Sequence, residues 1–281
     1  MRILVTGAGG MLGHDVLAAT GRLGHEAVGL TRAELDIADA DAVREAVAGT
    51  SPQAVVNCAA WTDVDGAEAE PDAAAAVNAA GAGHVAGHAH RAGAWTLHVS
   101  SDYVFDGAKR EPYVESDATG PLSAYGRSKL AGEQAVAAAA PERHTIVRTS
   151  WLFGVHGRCF PKTIQRLGDE RDILHIVADQ VGCPTFTGHL ATVLVALAAR
   201  PQLGVRHVAA AGQCSWCEFA RAIVAASELD CRVDPITTDQ YPLPAPRPAF
   251  SVLRSERQAP TLPSWRAGLT AFMTQVQRAA A

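Results

Sequence analysis

At 281 residues, with 48% hydrophobic and 19% charged residues, the chain suffices for one large α/β domain or a domain with a smaller lobe beside it. A net charge of −5 and no basic stripe argue against a nucleic-acid partner, which needs clustered Lys and Arg. Apolar runs are too short or too interrupted to cross a bilayer, and the N-terminus begins directly as a strand, so no membrane association and a cytoplasmic location are expected.

The first strand, 2–6, runs into Thr6-Gly-Ala-Gly-Gly-Met-Leu-Gly13 and a helix expected over 11–23. Gly7 permits a tight turn, Gly10 lets backbone approach a pyrophosphate, and Gly13 lets helix pack closely on strand. With Met11 and Leu12 at the helix start, whose N–H groups face an anion, the stretch reads as a dinucleotide cradle. A second strand, 26–30, leads into Thr31 and Arg32. An acid there would take the ribose 2′-hydroxyl of NAD; with Arg32 in its place a 2′-phosphate is accommodated. NADPH is therefore the expected cofactor, with NADH still accepted. Asp36, placed to accept from the adenine amino group, and its neighbour Ile37 complete that end of the expected site.

A helix over 39–48 precedes the third strand, 54–57, which ends Asn57-Cys-Ala-Ala60 at the sheet edge where such folds bind ligands. Small Ala59 and Ala60 let a cofactor lie against backbone. The next helix, 71–92, starts on Pro71, which suits a first turn, and carries Asn78, either a satisfied buried amide or a direct contact. The fourth strand, 95–100, contains His98, a core residue, and ends at Ser100-Ser101-Asp102. A helix over 123–140 then presents Tyr125 and Lys129 on one face, four residues apart. Carbonyl reduction needs a proton donor beside an incoming hydride. The Lys129 ammonium is expected to lower the Tyr125 phenol toward working pH and to hold the nicotinamide ribose. Ser101 can hydrogen-bond the substrate oxygen that becomes negative. A fifth strand spans 144–148.

These alternating elements predict an α/β fold, a doubly wound parallel sheet of Rossmann type over 1–150. Beyond it, helices near 159–169, 187–199, 215–228 and 264–279 indicate a smaller C-terminal α/β substrate lobe over 151–281, from which segments such as 187–209 return to the first domain. The Pro-rich stretch Tyr241–Pro248 is neither central strand nor helix and reads as an ordered functional loop. In it, Arg247 is a candidate for bidentate binding of a nucleotide diphosphate. Six cysteines show no disulfide framework. Cys214-Ser-Trp-Cys217 lacks a second CxxC or paired His, and Ser215-Trp-Cys-Glu218 reads as a capping box.

The glycine cradle and the ordered Ser–Tyr–Lys set resemble the extended short-chain dehydrogenase/reductase family. Further blocks make the chain similar to its dTDP-4-dehydrorhamnose reductase group: Val56–Glu68, Ser100–Gly107, Tyr125–Glu133, Val147–Gly154, Asp179–Thr185 and Arg247–Leu253. The resemblance implies an NADPH-dependent reductase of a dTDP-sugar, with Ser101, Tyr125 and Lys129 catalytic and Ser101, Asp102, Tyr103, Trp151 and Arg247 toward the substrate. Phe250 and Cys159 stand where many members carry Asn. Some members are metal-linked dimers, which leaves a homodimer open; Asp15 has no ligand cluster in sequence, and no metal is expected. Two rivals remain on this scaffold: a 4-ketoreductase for another deoxysugar and a non-catalytic regulatory subunit. The intact trio speaks against the second, and Tyr103 after Asp102, instead of a second acid, favours reduction over dehydration or epimerisation.

Overall fold

A computed structural model of the chain describes residues 1–257 and 259–280. The first half runs β1 (Arg2–Thr6), α1 (Met11–Arg22), β2 (Glu26–Leu30), α2 (Ala40–Thr50), β3 (Ala54–Asn57), α3 (Gly66–Ala69), α4 (Pro71–Ala75), α5 (Ala82–Arg91), β4 (Trp95–Ser101), α6 (Ala124–Ala139) and β5 (His144–Thr149). The second half runs β6 (Leu152–Phe153), α7 (Phe160–Glu170), β7 (Ile173–Val177), β8 (Val181–Gly182), β9 (Thr185–Phe186), α8 (Thr187–Ala199), β10 (Gly204–His207), β11 (Cys214–Ser215), α9 (Trp216–Ala226), β12 (Arg232–Ile236) and α10 (Trp265–Ala280).

The main sheet has the order β10-β5-β4-β3-β1-β2 and every pair is parallel. Strands β1 and β3 are largely apolar on both faces because helices cover both. Ile3, Val5 and Val56 pack with Val16 of α1 and Leu194 of α8, while Leu4 and Val55 pack with Val43 of α2 and Val85 of α5. The fold is thus α/β and doubly wound. From β1 the chain steps to β2 on one side and returns to β3 on the other. The strand order therefore reverses beside β1, and the crevice at the carboxyl ends of β1 and β3 is where such sheets hold ligands. Both α8 and β10 lie after residue 150, yet α8 packs on this sheet and β10 extends it beside β5. A second apolar cluster gathers Phe153, Phe186, Phe219, Trp265 and Phe272 from β6, β9, α9 and α10.

The helix expected over 71–92 is not regular. A π turn over Ala76–Gly81 separates α4 from α5. This widened turn carries Asn78, whose Oδ1 accepts from Trp61 N at 2.8 Å and whose Nδ2 donates to Ser128 Oγ at 2.9 Å. One side chain thereby ties the loop after β3 to α6, and Asn78 is a satisfied buried amide.

Candidate active site

The cradle is built by close approach of two loops. Gly7 has φ +67°, and a Cβ there would stand 2.6 Å from the Ala59 nitrogen; a Cβ on Gly13 would run into the Gly7 carbonyl. Only glycine allows these loops to touch. Gly10, the N-cap of α1, makes no side-chain capping bond, so the first N–H groups of the helix stay open to an anion. This surface is one wall of a cavity of about 1010 Å³ at the carboxyl edge of the sheet. Met11, Leu12, Asp36, Ile37, Ala59 and Ala60 line the same cavity.

Arg32 also lines it, is exposed, and among the described residues has neither an ion pair nor a hydrogen bond. The neighbouring Glu34 turns instead to Thr31, accepting from its N at 2.9 Å and its hydroxyl at 2.8 Å, which holds the carboxyl below its ordinary range. Asp36 Oδ1 accepts from Ala38 N at 3.0 Å, closing the turn that presents it.

At the far end of the cavity stand Ser101, Asp102, Tyr103, Tyr125, Lys129 and Trp151. Ser101 ends β4; its hydroxyl donates to Asp102 Oδ1 at 3.0 Å and accepts from Tyr103 N at 3.2 Å. Tyr125 lies in the first turn of α6, which Ser123 caps by accepting from Gly126 N at 3.0 Å. Lys129 is buried and donates to the Val99 carbonyl at 2.8 Å. Burial lowers its ammonium to about 8, opposed in part by Glu133. The expected lowering of the Tyr125 phenol is corrected: burial pushes it up to about 12, the Ser101 hydroxyl only partly offsetting this. Desolvation of the phenolate outweighs any attraction to Lys129, whose ammonium is turned to a backbone carbonyl. Burial therefore holds the Tyr125 phenol in its protonated form. His98 is a core residue: 1% exposed, with Nδ1 3.1 Å from Asn57 Nδ2, and kept neutral by burial and by Lys129.

Arg247 meets this group only at Tyr103. It lines a second cavity of about 890 Å³ that shares Tyr103, Phe160 and Trp216 with the first. Trp151, at φ +46°, stacks on Trp216 with centroids 3.5 Å apart in the same wall. Both arms of the candidate diphosphate-binding residue Arg247 are paired with Asp65 in this structure, Nη1 to Oδ1 at 2.7 Å and Nη2 to Oδ2 at 2.6 Å. Asp65 also accepts from Ala245 N at 3.0 Å, fastening the Pro-rich loop across the end of the β3 loop. The two departures from the family pattern, Cys159 and Phe250, line neither cavity. Cys159 is the N-cap of α7 and makes no capping bond.

Sequence reasoning missed a buried triad under the catalytic edge. Glu133 of α6 accepts from Ser100 Oγ at 2.6 Å and from Arg148 Nε and Nη2 at 2.8 and 2.7 Å. It ties β4, β5 and α6 together behind Ser101 and Lys129. An Arg inside the expected buried strand β5 was the available signal. Cys214 and Cys217 are free thiols, and the Ser215–Glu218 capping box opens α9. Among the described residues no group of three or more His, Cys, Asp or Glu stands close enough to hold a metal ion.

Residues 1–278 match the family described as RmlD substrate binding domain. The chain belongs to that family. It is 44% identical over 273 residues to a dTDP-4-dehydrorhamnose reductase of Mycolicibacterium smegmatis, covering 96% of this chain and 81% of the relative. It is 43% identical over 271 residues to a dTDP-4-keto-6-deoxy-D-glucose reductase of Streptomyces niveus, covering 96% and 92%. Among solved structures, the dTDP-4-dehydrorhamnose reductase of Bacillus anthracis in complex with NADP superposes with a TM-score of 0.94 at 36% identity, over 98% of this chain and 99% of that one.

Proposed function

We propose that this chain reduces the 4-keto group of a nucleotide-activated 6-deoxyhexose, dTDP-4-dehydro-L-rhamnose to dTDP-L-rhamnose, with NADPH as reductant. One observation carries the reading: a single cavity holds the glycine cradle at one end and Ser101, Tyr125 and Lys129 at the other. The family membership, the names of the full-length relatives and the NADP-bound neighbour support it. The cofactor fits because the N-terminus of α1 is uncapped and opens on the cavity that Gly7, Gly10 and Gly13 line.

When bound, NADPH supplies a hydride to the carbonyl carbon. Tyr125, held protonated by burial, donates its proton to the carbonyl oxygen. Ser101 hydrogen-bonds that oxygen as it gains negative charge. Lys129, whose ammonium donates to the Val99 carbonyl in this structure, holds the nicotinamide ribose. Trp151 and Tyr103 wall the substrate side, and the second cavity, rimmed by the Arg247–Asp65 pair, takes the nucleotide.

A second reading, a 4-ketoreductase for another dTDP-deoxysugar, is favoured by the 43% identical Streptomyces niveus relative of that name. One experiment separates the two. The purified protein is given dTDP-4-dehydro-L-rhamnose and NADPH, loss of reduced-nicotinamide absorbance is followed, and the sugar product is identified by NMR. Rapid oxidation with dTDP-L-rhamnose formed is the expected result. No oxidation, or a product of another configuration, rejects the first reading.

A further inference from the structure

Ser101 has one proton to give, and in this structure Asp102 takes it, with the Tyr125 oxygen as the competing acceptor. A serine hydroxyl offers one donor and two acceptor lone pairs. One lone pair accepts from Tyr103 N at 3.2 Å, and the proton points to Asp102 Oδ1 at 3.0 Å. In that arrangement Ser101 has nothing to offer a carbonyl oxygen gaining negative charge. The arrangement that serves reduction turns the Asp102 bond round. A neutral carboxyl donates to the second lone pair of Ser101, or competes only as a weak neutral acceptor, and the Ser101 proton is free for the substrate. We infer that Asp102 is a positioning residue that works in its protonated form, setting the direction of the Ser101 hydrogen bond and switching the oxyanion donor off when it ionises. This rests on the reading of the site as a carbonyl reductase.

The surroundings suit such a switch. Asp102 is 1% exposed, and its Oδ2 is buried without a hydrogen-bond partner. Ser251, on the strand-like segment beside β8, is equally buried; its hydroxyl makes no well-formed hydrogen bond in this structure yet lies close enough to act on that carboxyl. The ionisable groups that feel the Asp102 charge are phenols and a thiol: Tyr103 on its own turn, Tyr125 on α6, and Cys183 between β8 and β9. All three are pushed toward their neutral forms; Arg247 reaches Tyr103 on the same turn, and the Asp102 carboxyl itself is met by the Ser251 and Ser101 hydroxyls and by the backbone N–H groups of Asp102 and Tyr103. The nearby Arg148 and Glu133 neutralise each other on the Ser100 side of the strand. Burial accordingly lifts the Asp102 carboxyl to about 7, with the Ser251 and Ser101 hydroxyls pulling the other way. Below that pH the carboxyl is neutral and Ser101 is released; above it the carboxylate captures the hydroxyl.

The test is kcat against pH, between about pH 6 and about pH 9, for wild type, Asp102→Asn and Ser101→Ala. Wild type should lose turnover as pH rises through neutrality and level off about 10²- to 10³-fold lower, the cost of one oxyanion donor. Asp102→Asn presents an amide donor to Ser101 at every pH. Its profile should flatten, with a loss at low pH well short of that in Ser101→Ala. Ser101→Ala should be slow and flat, because Asp102 acts only through Ser101. A neutral-side fall that persists in either variant overturns the inference. So does Asp102→Asn as slow as Ser101→Ala at low pH while NADPH fluorescence shows normal binding. A second readout needs no turnover: the Asp102 carboxyl, followed by carbon NMR in the NADPH complex, should titrate near neutrality. Titration in the ordinary carboxylate range overturns the switch even in an active enzyme. A wild type that reduces no 4-keto sugar nucleotide would refute the functional reading, and the carboxyl titration would still decide the switch.

Discussion

Arg32 is the residue on which cofactor choice turns. It lines the cavity, is exposed, and has no partner among the described residues, so binding a 2′-phosphate breaks no existing contact. Its charged neighbour Glu34 is engaged by Thr31 and does not compete as an ion-pair partner. A well-formed charge-assisted hydrogen bond contributes roughly 1.5–3 kcal/mol, whereas an exposed ion pair contributes about 0.2–1 kcal/mol. A wet but unpaired guanidinium facing a dianionic phosphate falls between, near 1–1.5 kcal/mol, or about five- to twelvefold in kcat/KM at 1.4 kcal/mol per decade. The Arg32→Ala variant should lose about that factor with NADPH and almost nothing with NADH, which has no group to lose. Steady-state kinetics with both cofactors, at constant ionic strength because exposed charges are screened, reads the ratio directly. If the NADPH/NADH ratio does not move, Arg32 is a surface cation and the second strand does not select the cofactor.

The remaining expectations concern the proton donor, the ammonium, the loop clamp and the buried triad. Tyr125→Phe should lower kcat on the order of 10²–10⁴-fold with KM for NADPH nearly unchanged; a wild-type rate would remove Tyr125 as the acid. Lys129, lowered to about 8 by burial, is an ammonium below that pH and loses its charge above it. KM for NADPH should therefore rise several-fold between about pH 7 and about pH 9 in wild type but stay flat in Lys129→Met; a pH-independent wild-type KM rejects the role. Because Arg247 and Asp65 form one clamp, Arg247→Ala and Asp65→Ala should each raise KM for the sugar nucleotide about tenfold, the pair costing no more than the worse single; additive losses, or equal effects on NADPH, would reject this. Glu133→Gln leaves Arg148 charged and unpaired in the interior and should cost about 3–5 kcal/mol in denaturant unfolding; under about 1 kcal/mol would mean the triad does little for stability.

The large sheet was legible because its strands are short apolar runs separated by amphipathic or Ala-rich helices, a signal that depends on single positions very little. The cradle was legible for a different reason: Gly7 and Gly13 are dictated by backbone contact, and only one residue type fits. The small pairings β6–β9 and β8–β11 were not, since two-residue strands carry no periodicity. Nor was the Arg247–Asp65 pair, whose members are 182 residues apart and meet only once the Pro-rich loop is laid down. Ser101, Tyr125 and Lys129 could be named as candidates from the i, i+4 spacing and the strand end. Their protonation could not. The sign of the Tyr125 shift depends on how much protein surrounds the phenol and on where Lys129 points, and neither is encoded in spacing.

The direction of those shifts has one cause and a mechanistic consequence. Burial moves Tyr125, Asp102, Cys58 and His98 toward their neutral forms, and leaves Lys129 the one cation among them, itself weakened. The catalytic end of the cavity thus carries little fixed charge before a ligand arrives. In such surroundings an oxygen acquiring negative charge draws its stabilisation mainly from oriented O–H donors, which act more strongly in low dielectric than in water. Tyr125 supplies the transferable proton and Ser101 a static one. Losses at these two positions should therefore appear in kcat, where charge develops, whereas losses at the exposed Arg32 and at the Arg247–Asp65 clamp should appear in KM, where ligand charge is already complete. A kcat-dominated effect at Arg32 would contradict this division, because an exposed guanidinium at the ribose end cannot distinguish the transition state from the bound ground state.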